Sequence, residues 1–378
     1  KMSKSKGNVI DPLHLIHGCN GDVVSPQFKD DHPDGLPAYG ADALRFTLAS
    51  MSASGRDIKL SVDRIAGYRA FANKIWNASR FALMRLEGVT PAPLSEAESI
   101  LRPADRYILS RLARAATATN DALEEFKFAD ASSAIYSFFW HEFCDWYIEL
   151  IKGQFDEETK TVAGWVLDQI LVMLHPFMPF LTEEIWQTVG PLADQAGESI
   201  MLAPWPGRQN DLVDAESEAE IEWLKEIIVG IRTIRSESNI PPATELPVFV
   251  VNATELDRER FSRNEAYLGR LAKVSGITVL SGEEPPPASL MALCGDLEIR
   301  VPMAGVIDIE AELKRLDKEI YRQREEVAKL EGKLSNNAFT ERAPADIVEA
   351  EKHKKEQAET ALATLGRQRT QIEELRSA

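Results

Sequence analysis

Residues 62–88, VDRIAGYRAFANKIWNASRFALMRLEG, carry the pattern that decides the fold class of this chain. Apolar side chains recur there at steps of three and four residues, which places them on one face of a helix. Gly88 and the prolines at 91 and 93 predict where this helix ends. The positions that define the apolar face are Ile65, Tyr68, Phe71, Ala72, Ile75, Trp76 and Ala82 or Leu83.

The same periodicity continues to about residue 241 and predicts further helices joined by short connections. Thr182 is followed by two glutamates, which is typical of a helix N-terminus because a hydroxyl caps the free N–H groups and acids suit the helix dipole. Consecutive amphipathic helices favour a helical bundle. The expected helices lie at about 104–126, 130–152 and 159–174, from Thr182 onward, and at 216–238.

Residues 246–305 change from helical periodicity to short β-branched runs. Three strands are expected, LPVFVV (246–251), GITVLS (276–281) and LEIRVPM (297–303), with a helix at 257–275 between the first two. This order predicts a small α/β subdomain.

Residues 306–378 show a heptad repeat. The core positions of the first helix are Ile309, Leu313, Leu316, Ile320, Gln323, Val327, Leu330 and Leu334. Those of the second helix are Ala358, Ala361, Leu365, Gln368, Ile372 and Leu375. The turn signals at 335–344 predict that the two helices fold back as an antiparallel coiled-coil hairpin. A coiled coil used only for dimerisation is the alternative.

The charge of the chain limits which partners are expected. The 378 residues have a formal charge of −17, which by itself argues against nucleic-acid binding, although residues 306–378 are nearly balanced, with 16 acidic and 14 basic side chains.

Cys19, Cys144 and Cys294 are too far apart for a zinc site, so no metal is expected. They fit a reducing, cytoplasmic compartment. The most apolar stretch, 162–181, contains charged residues and prolines, so no membrane span is expected.

The first residues, KMSKSKGN (1–8), combine three lysines, two of them within the first four residues, with two small hydroxyl side chains and a Gly-Asn turn. Ammonium groups interact with phosphate oxygens, and glycine lets the backbone approach them closely. These residues therefore predict a loop that folds over a triphosphate. The rest of 1–58 is expected to be irregular, with a long loop at 18–40.

The string KMSKS resembles the loop of that name in class I aminoacyl-tRNA synthetases. Further blocks resemble the valyl, isoleucyl and leucyl branch: YGADALRF (39–46), FANKIWNASRF (71–81), FCDWYIEL (143–150), LHPFMPFLTEEIWQ (174–187) and IRTIRSESNIPP (231–242). The stretch KLSNNAFTERAPADIVEAEKHK (333–354) is similar to the valyl-tRNA synthetase family in particular. The chain is identified as the C-terminal portion of such a synthetase, beginning at the KMSKS motif.

The resemblance implies a mainly α protein in four parts. These are a KMSKS loop and stem-contact segment (1–61), a helical-bundle anticodon-binding domain (62–245), a small α/β junction subdomain (246–305) and a coiled-coil hairpin that serves as a tRNA-binding arm (306–378). The implied activity is a valine–tRNA ligase that works through valyl-adenylate, with ATP, Mg²⁺, valine and valine tRNA as substrates, and the protein is expected to be a monomer. The sequence contains no HIGH motif and no Rossmann pattern. The chain alone is therefore expected to be inactive and to bind no cofactor.

The same resemblance assigns site residues. Lys4, and second Lys1, are expected to contact the phosphates as catalytic residues, with Met2, Ser3 and Ser5 completing the ATP-binding loop. Phe81 lies off the apolar stripe, so base stacking and core packing are equally good interpretations of it. For Arg232 and Arg235, pairing with the acids at 216–226 is preferred over phosphate binding. The residues expected to contact tRNA are Lys59, Arg64, Lys74, Arg80 and Phe81.

Two alternatives remain at this point. An isoleucyl or leucyl synthetase would share most of the blocks, although a C-terminal cysteine-based zinc module or a compact C-terminal domain would be expected there. A non-enzymatic RNA-binding or coiled-coil scaffold protein would reuse the bundle and the hairpin.

Overall fold

Helices dominate the part of the chain that the computed structural model describes, namely residues 10–24, 29–52, 60–86, 88, 94, 102–153, 155–195, 197–280, 289–302, 309–335 and 345–377. The chain divides into two units, Lys1–Ile221 and Glu222–Ala378. The mainly α fold predicted from the sequence is confirmed. The four-part division is finer than these two units and stays a prediction.

The beginning of the chain is more regular than expected. Helix α1 (Pro12–His17) is followed by strands β1 (Cys19–Asn20) and β2 (Gly35–Leu36), which pair antiparallel, and by helix α2 (Ala41–Ser50). Gly35 has φ of 113°, and a Cβ atom there would lie 2.0 Å from the Cys19 carbonyl oxygen, so the pairing requires glycine. The prediction of an irregular segment was wrong here because its helices are short and lack a long apolar repeat.

The bundle follows the predicted order of helices. Tyr68 and Phe71 pack against Phe46 of α2, with ring centroids 4.8 Å and 5.3 Å apart. Trp76, expected on the apolar stripe, is instead 44% exposed, because helical geometry turns it by about 100° from Ile75 and about 140° from Phe71. The helices are α3 (Val62–Leu86), α4 (Pro103–Glu124), α5 (Phe128–Ser137), α6 (Ile148–Ile151), α7 (Glu157–Leu174), α8 (Pro179–Leu192) and α9 (Ala215–Glu237).

Between α5 and α6 the chain continues as a π-helical segment, Phe138–Tyr147. The N–H of Ile148 donates to the carbonyl of Phe143, five residues back, as this wider helix requires. The predicted helix at 130–152 is therefore one continuous rod with a change of winding inside it. Segments of this kind are frequent at functional sites.

The predicted cap at Thr182 was wrong. Helix α8 begins three residues earlier, at Pro179, and Thr182 is buried inside it, where its hydroxyl donates to the Met178 carbonyl at 2.9 Å. The free N–H groups of Phe180 and Leu181 instead donate to the carboxylate of Asp42 on α2, at 3.3 Å and 2.7 Å. Burial raises the pKa of Asp42, while these two N–H groups and Arg45 favour its ionised form. A residue 138 positions away thus supplies the cap that local sequence suggested for Thr182.

The second unit contains four strands, β3 (Leu246–Val251), β4 (Val274–Val279), β5 (Ser289–Cys294) and β6 (Leu297–Pro302), which form one sheet in the order β4–β3–β6–β5. Strand β3 (Leu246–Val251) agrees with its prediction, β4 (Val274–Val279) begins two residues earlier than expected, and β6 (Leu297–Pro302) agrees. Strand β5 (Ser289–Cys294) was missed because SLMALC contains no β-branched residue. Helix α10 (Glu255–Ala272) joins β3 to β4, which are parallel, and carries a capping box from Thr254 and Asp257.

Arg235 of α9 is a buried arginine, with 8% of its surface exposed. Its guanidinium donates to the carbonyls of Thr244 at 2.6 Å, Lys273 at 2.9 Å and Ala272 at 3.1 Å, and more weakly to that of Pro241. The preferred interpretation, pairing with the acids at 216–226, was therefore wrong for Arg235, because carbonyl groups at the ends of α9 and α10 surround it. Arg232 donates to the carbonyl of Leu271 at 3.0 Å.

The coiled-coil hairpin is formed by α11 (Ile309–Leu334) and α12 (Ala345–Ser377). Five residues predicted at core positions of the coiled coil are buried, which confirms the fold: Leu313, Leu316, Ile320, Leu330 and Ala358. Ion pairs join Glu331 to Lys355 at 2.9 Å and Asp317 to Arg369 at 2.6 Å. Both partners move fourteen residues, in opposite directions, between these two pairs, so the helices are antiparallel and in register.

Candidate nucleic-acid interface

Six predicted site residues lie outside the described part of the structure. These are Lys1, Met2, Ser3, Lys4 and Ser5 of the phosphate loop, together with Lys59. Their roles remain predictions from the sequence.

Helix α3 runs alongside the rod formed by α5, the π-helical segment and α6. Successive contacts join Tyr68 to Tyr136, Phe71 to Phe139 and Lys74 to Trp140. In these contacts the residue numbers of α3 and of the rod increase in the same direction, so the two helices are parallel. Their common outer edge, here called the seam, consists of Lys74, Phe81, Arg85, Trp140, His141, Asp145 and Lys152.

Lys74 and Asp145 form the first group of the seam. The Lys74 ammonium lies 2.9 Å from Asp145 Oδ1 and 4.2 Å from the centre of the Trp140 ring. Asp145 Oδ2 lies 3.5 Å from His141 Nδ1. The Trp140 ring stacks on Tyr136, with centroids 5.5 Å apart and planes inclined by 21°. The lysine is therefore held between a carboxylate and an indole.

Phe81 forms the second group. Its ring is neither free nor in the core: the Arg85 guanidinium lies 5.5 Å and the Lys152 ammonium 5.6 Å from its centroid. Lys152 also bonds to Glu149. Cation–π contacts of this kind hold an aromatic ring at the surface. Phe81 follows Lys74 by seven residues, so the two groups are two helical turns, roughly 10 Å, apart.

The other predicted contacts do not join the seam. Arg64 and Arg80 are exposed on α3. Arg80 lies four residues after Trp76, so these two side chains share the exposed face of the helix. The structure thus brings Lys74 and Phe81 onto one edge and places Arg80 on a neighbouring face.

The opposite side of the π-helical segment is anchored to α4 and α7 by buried polar groups. Tyr147 donates to Asp105 Oδ1 at 2.7 Å, and Thr159 donates to Oδ2 at 2.8 Å. Burial raises the pKa of Asp105 to about 6, against the stabilising effect of these two hydroxyl groups. Arg111 donates to Glu142 at 3.1 Å. The segment that bears Trp140, His141 and Asp145 is therefore fixed from behind.

Sequence reasoning missed five residues of the seam, namely Arg85, Trp140, His141, Asp145 and Lys152. An α-helical projection turns Asp145 by about 140° away from Trp140, so the two did not look like neighbours. The usable signal was composition, since WHEFCDW places two acids, a histidine and two indoles within seven residues.

No group of three or more His, Cys, Asp or Glu side chains that could hold a metal occurs among the described residues. Burial raises the pKa of the Cys144 thiol to about 12, so it is a neutral thiol. Within the same residues, none of the helices has the length and apolar character needed to cross a membrane.

Three family models match the chain. Residues 1–61 match the class I tRNA synthetases (I, L, M and V), residues 105–250 the anticodon-binding domain of tRNA ligase, and residues 308–373 the valyl tRNA synthetase tRNA binding arm. Helix α3 lies between the first two matches, whereas the π-helical segment lies inside the second. The matches place the chain among the class I tRNA synthetases of the isoleucyl, leucyl, methionyl and valyl group. The arm makes it a chain of the valyl-tRNA synthetase type.

Among solved structures, the chain is similar to the ternary complex of Agrobacterium radiobacter K84 agnB2 LeuRS with tRNA and LeuAMS. The identity is 19% and the TM-score 0.41, over 75% of this chain and 32% of that one. The chain thus spans about a third of that protein's length. A likeness of this size carries no functional argument.

Proposed function

We propose that this chain is the tRNA-recognition part of a valine–tRNA ligase, a cytoplasmic enzyme that joins valine to its tRNA through valyl-adenylate. The observation that carries the proposal is the order of the three matched families along one chain, which ends in the valyl-type arm. The seam adds a physical reason, because aromatic rings interleaved with cations suit the unpaired bases and phosphates of an RNA loop. In this proposal the seam contacts the anticodon loop, and Arg64 and Arg80 contact the flanking backbone.

The phosphate loop would act on ATP with Mg²⁺. Lys4, and second Lys1, would stabilise the charge that develops as pyrophosphate leaves, while Met2, Ser3 and Ser5 would shape the loop. One loop does not make an adenylate-forming site, so the chain by itself is expected to be inactive. Valine-dependent ATP–pyrophosphate exchange tests this, and turnover by the isolated chain above background would contradict it. In the full-length enzyme, Lys4→Ala is expected to lower the exchange rate by orders of magnitude and to leave tRNA affinity unchanged.

The amino-acid assignment is tested by binding. The chain is expected to bind valine tRNA more tightly than isoleucine or leucine tRNA in a filter-binding competition at one salt concentration. Equal affinities, or a preference for leucine tRNA, would move the chain to another member of the group. A scaffold protein with no tRNA preference would bind all three with the same strongly salt-dependent affinity.

A further inference from the structure

The Lys74–Asp145 pair changes what this part of the seam can recognise. An ammonium and a carboxylate 2.9 Å apart are neutral as a unit, so Lys74 presents little net charge to a phosphate. The carboxylate also repels a phosphate. A surface that served only to neutralise the RNA backbone would have no use for Asp145 at this position.

Asp145 nevertheless keeps hydrogen-bonding capacity. A carboxylate offers about four lone-pair sites, and among the residues that the structure describes only Lys74 occupies one at hydrogen-bonding distance, since His141 lies 3.5 Å from the second oxygen. The Asp145 side chain is 41% exposed and that of His141 is 62% exposed. The remaining acceptor sites can therefore be reached from solvent.

The π-helical winding creates this arrangement. In a helix with hydrogen bonds five residues back, Asp145 lies one turn above Trp140, and both reach Lys74. In α-helical winding the carboxylate would point about 140° away from the indole. The local change of helix type thus places a fixed acceptor beside an aromatic wall built from Trp140, Tyr136 and Phe71.

From these contacts we propose that Asp145 is a base-reading residue, which accepts a hydrogen bond from the exocyclic amino group of an unpaired adenine or cytosine. Lys74 and His141 hold the carboxylate in position, and the neighbouring rings exclude water from the contact. Acceptor carboxylates recognise the N4 amino group of cytosine in this way, and unpaired RNA bases expose the same edge. The inference rests on the proposed function and adds to it the chemical feature that the seam selects.

The test uses the whole 378-residue chain and two RNA hairpins with the same five-base-pair stem. One hairpin has a loop of seven cytidines and the other a loop of seven uridines, which replaces each amino group by a carbonyl oxygen. The parent chain is expected to bind the cytidine loop about tenfold more tightly, the usual size of one such base contact. Asp145→Asn, which offers a donor as well as an acceptor, is expected to bring the ratio close to one.

Two further variants make the result decisive. Lys74→Met removes the group that holds the carboxylate and is expected to reduce the ratio only in part. Glu184→Gln makes the same charge change on the exposed face of α8 and is expected to leave the ratio unchanged. Circular dichroism confirms that each variant is folded.

The outcomes separate the two proposals. If Asp145→Asn strengthens binding of both loops equally and steepens its salt dependence, Asp145 only masks Lys74, and the base-reading role is wrong. An unchanged ratio in this variant overturns it as well. If the parent binds neither hairpin but still binds tRNA, the seam is not the RNA-loop interface and both proposals fall at that surface.

Discussion

The buried carboxyl group of Asp105 makes the stability of the bundle depend on pH in an unusual direction. Its pKa rises from 3.8 to about 6 because burial disfavours the charged form. At about 1.4 kcal/mol per pKa unit, this difference corresponds to about 3 kcal/mol. A group whose folded-state pKa is raised contributes stability that is complete below its unfolded pKa and is lost as the pH rises through about 6.

We therefore expect Asp105 to add about 1.4 kcal/mol to the free energy of unfolding when the pH falls from 7.5 to 5. Other carboxylates act in the opposite sense: burial opposes ionisation of Asp214 and Glu218, but hydrogen bonds and arginines lower their pKa values overall. Asp105→Asn isolates the effect, because the amide keeps an acceptor for one hydroxyl group and a donor for the other but does not titrate.

The assay is urea unfolding of the parent and of Asp105→Asn at pH 7.5, 6 and 5. The variant is expected to be the more stable of the two at pH 7.5, and its advantage should shrink by about 1.4 kcal/mol at pH 5. Tyr147→Phe is the companion variant, because it removes one hydrogen bond to Asp105 and should raise the pKa further. A difference between parent and Asp105→Asn that stays constant from pH 7.5 to 5, or grows on acidification, would refute the reasoning.

Three further predictions concern other parts of the chain. Arg235→Leu leaves several buried carbonyl groups without a donor and is expected to cost about 3 kcal/mol or more in thermal unfolding of the second unit, whereas Arg258→Gln, at an exposed pair, should cost less than about 0.5 kcal/mol. Asp42→Ala removes the cap of α8 and is expected to cost about 1–2 kcal/mol, measured by urea unfolding; no loss would show that water replaces the carboxylate. Deletion of 306–378 is expected to weaken tRNA binding and to reduce the salt dependence of that binding. Light scattering is expected to report a monomer before and after the deletion. A dimer that dissociates on deletion, with tRNA affinity unchanged, would show that the hairpin serves dimerisation instead.

The sequence was sufficient where one local rule decides the structure. The heptad repeat through Leu313, Leu316 and Ile320 predicted the hairpin because burial of these residues depends only on their spacing along each helix. The strand at 246–251 followed from its β-branched run. These elements are specified by residues that lie close to one another in the sequence.

The predictions from the sequence were wrong where residues far apart along the chain determine the local structure. The start of α8 is set by Asp42, and Arg235 is directed by carbonyl groups from the end of α10 and from the connection between α9 and β3. For the seam, Lys74 and Phe81 were proposed from the resemblance, but Asp145 could not be, because its neighbours depend on a change of helical winding. Whether these residues contact RNA remains a prediction.

The junction between α2 and the bundle limits where this chain can be cut. Phe46 of α2 contacts Phe71 and lies 6.1 Å from Phe177, and Asp42 completes the first turn of α8. A piece that began at residue 62 would lack Phe46 and Asp42, which would expose the rings of Phe71 and Phe177 to water and leave the N–H groups of Phe180 and Leu181 without their carboxylate. The smallest soluble, foldable version of the bundle should therefore begin before residue 41.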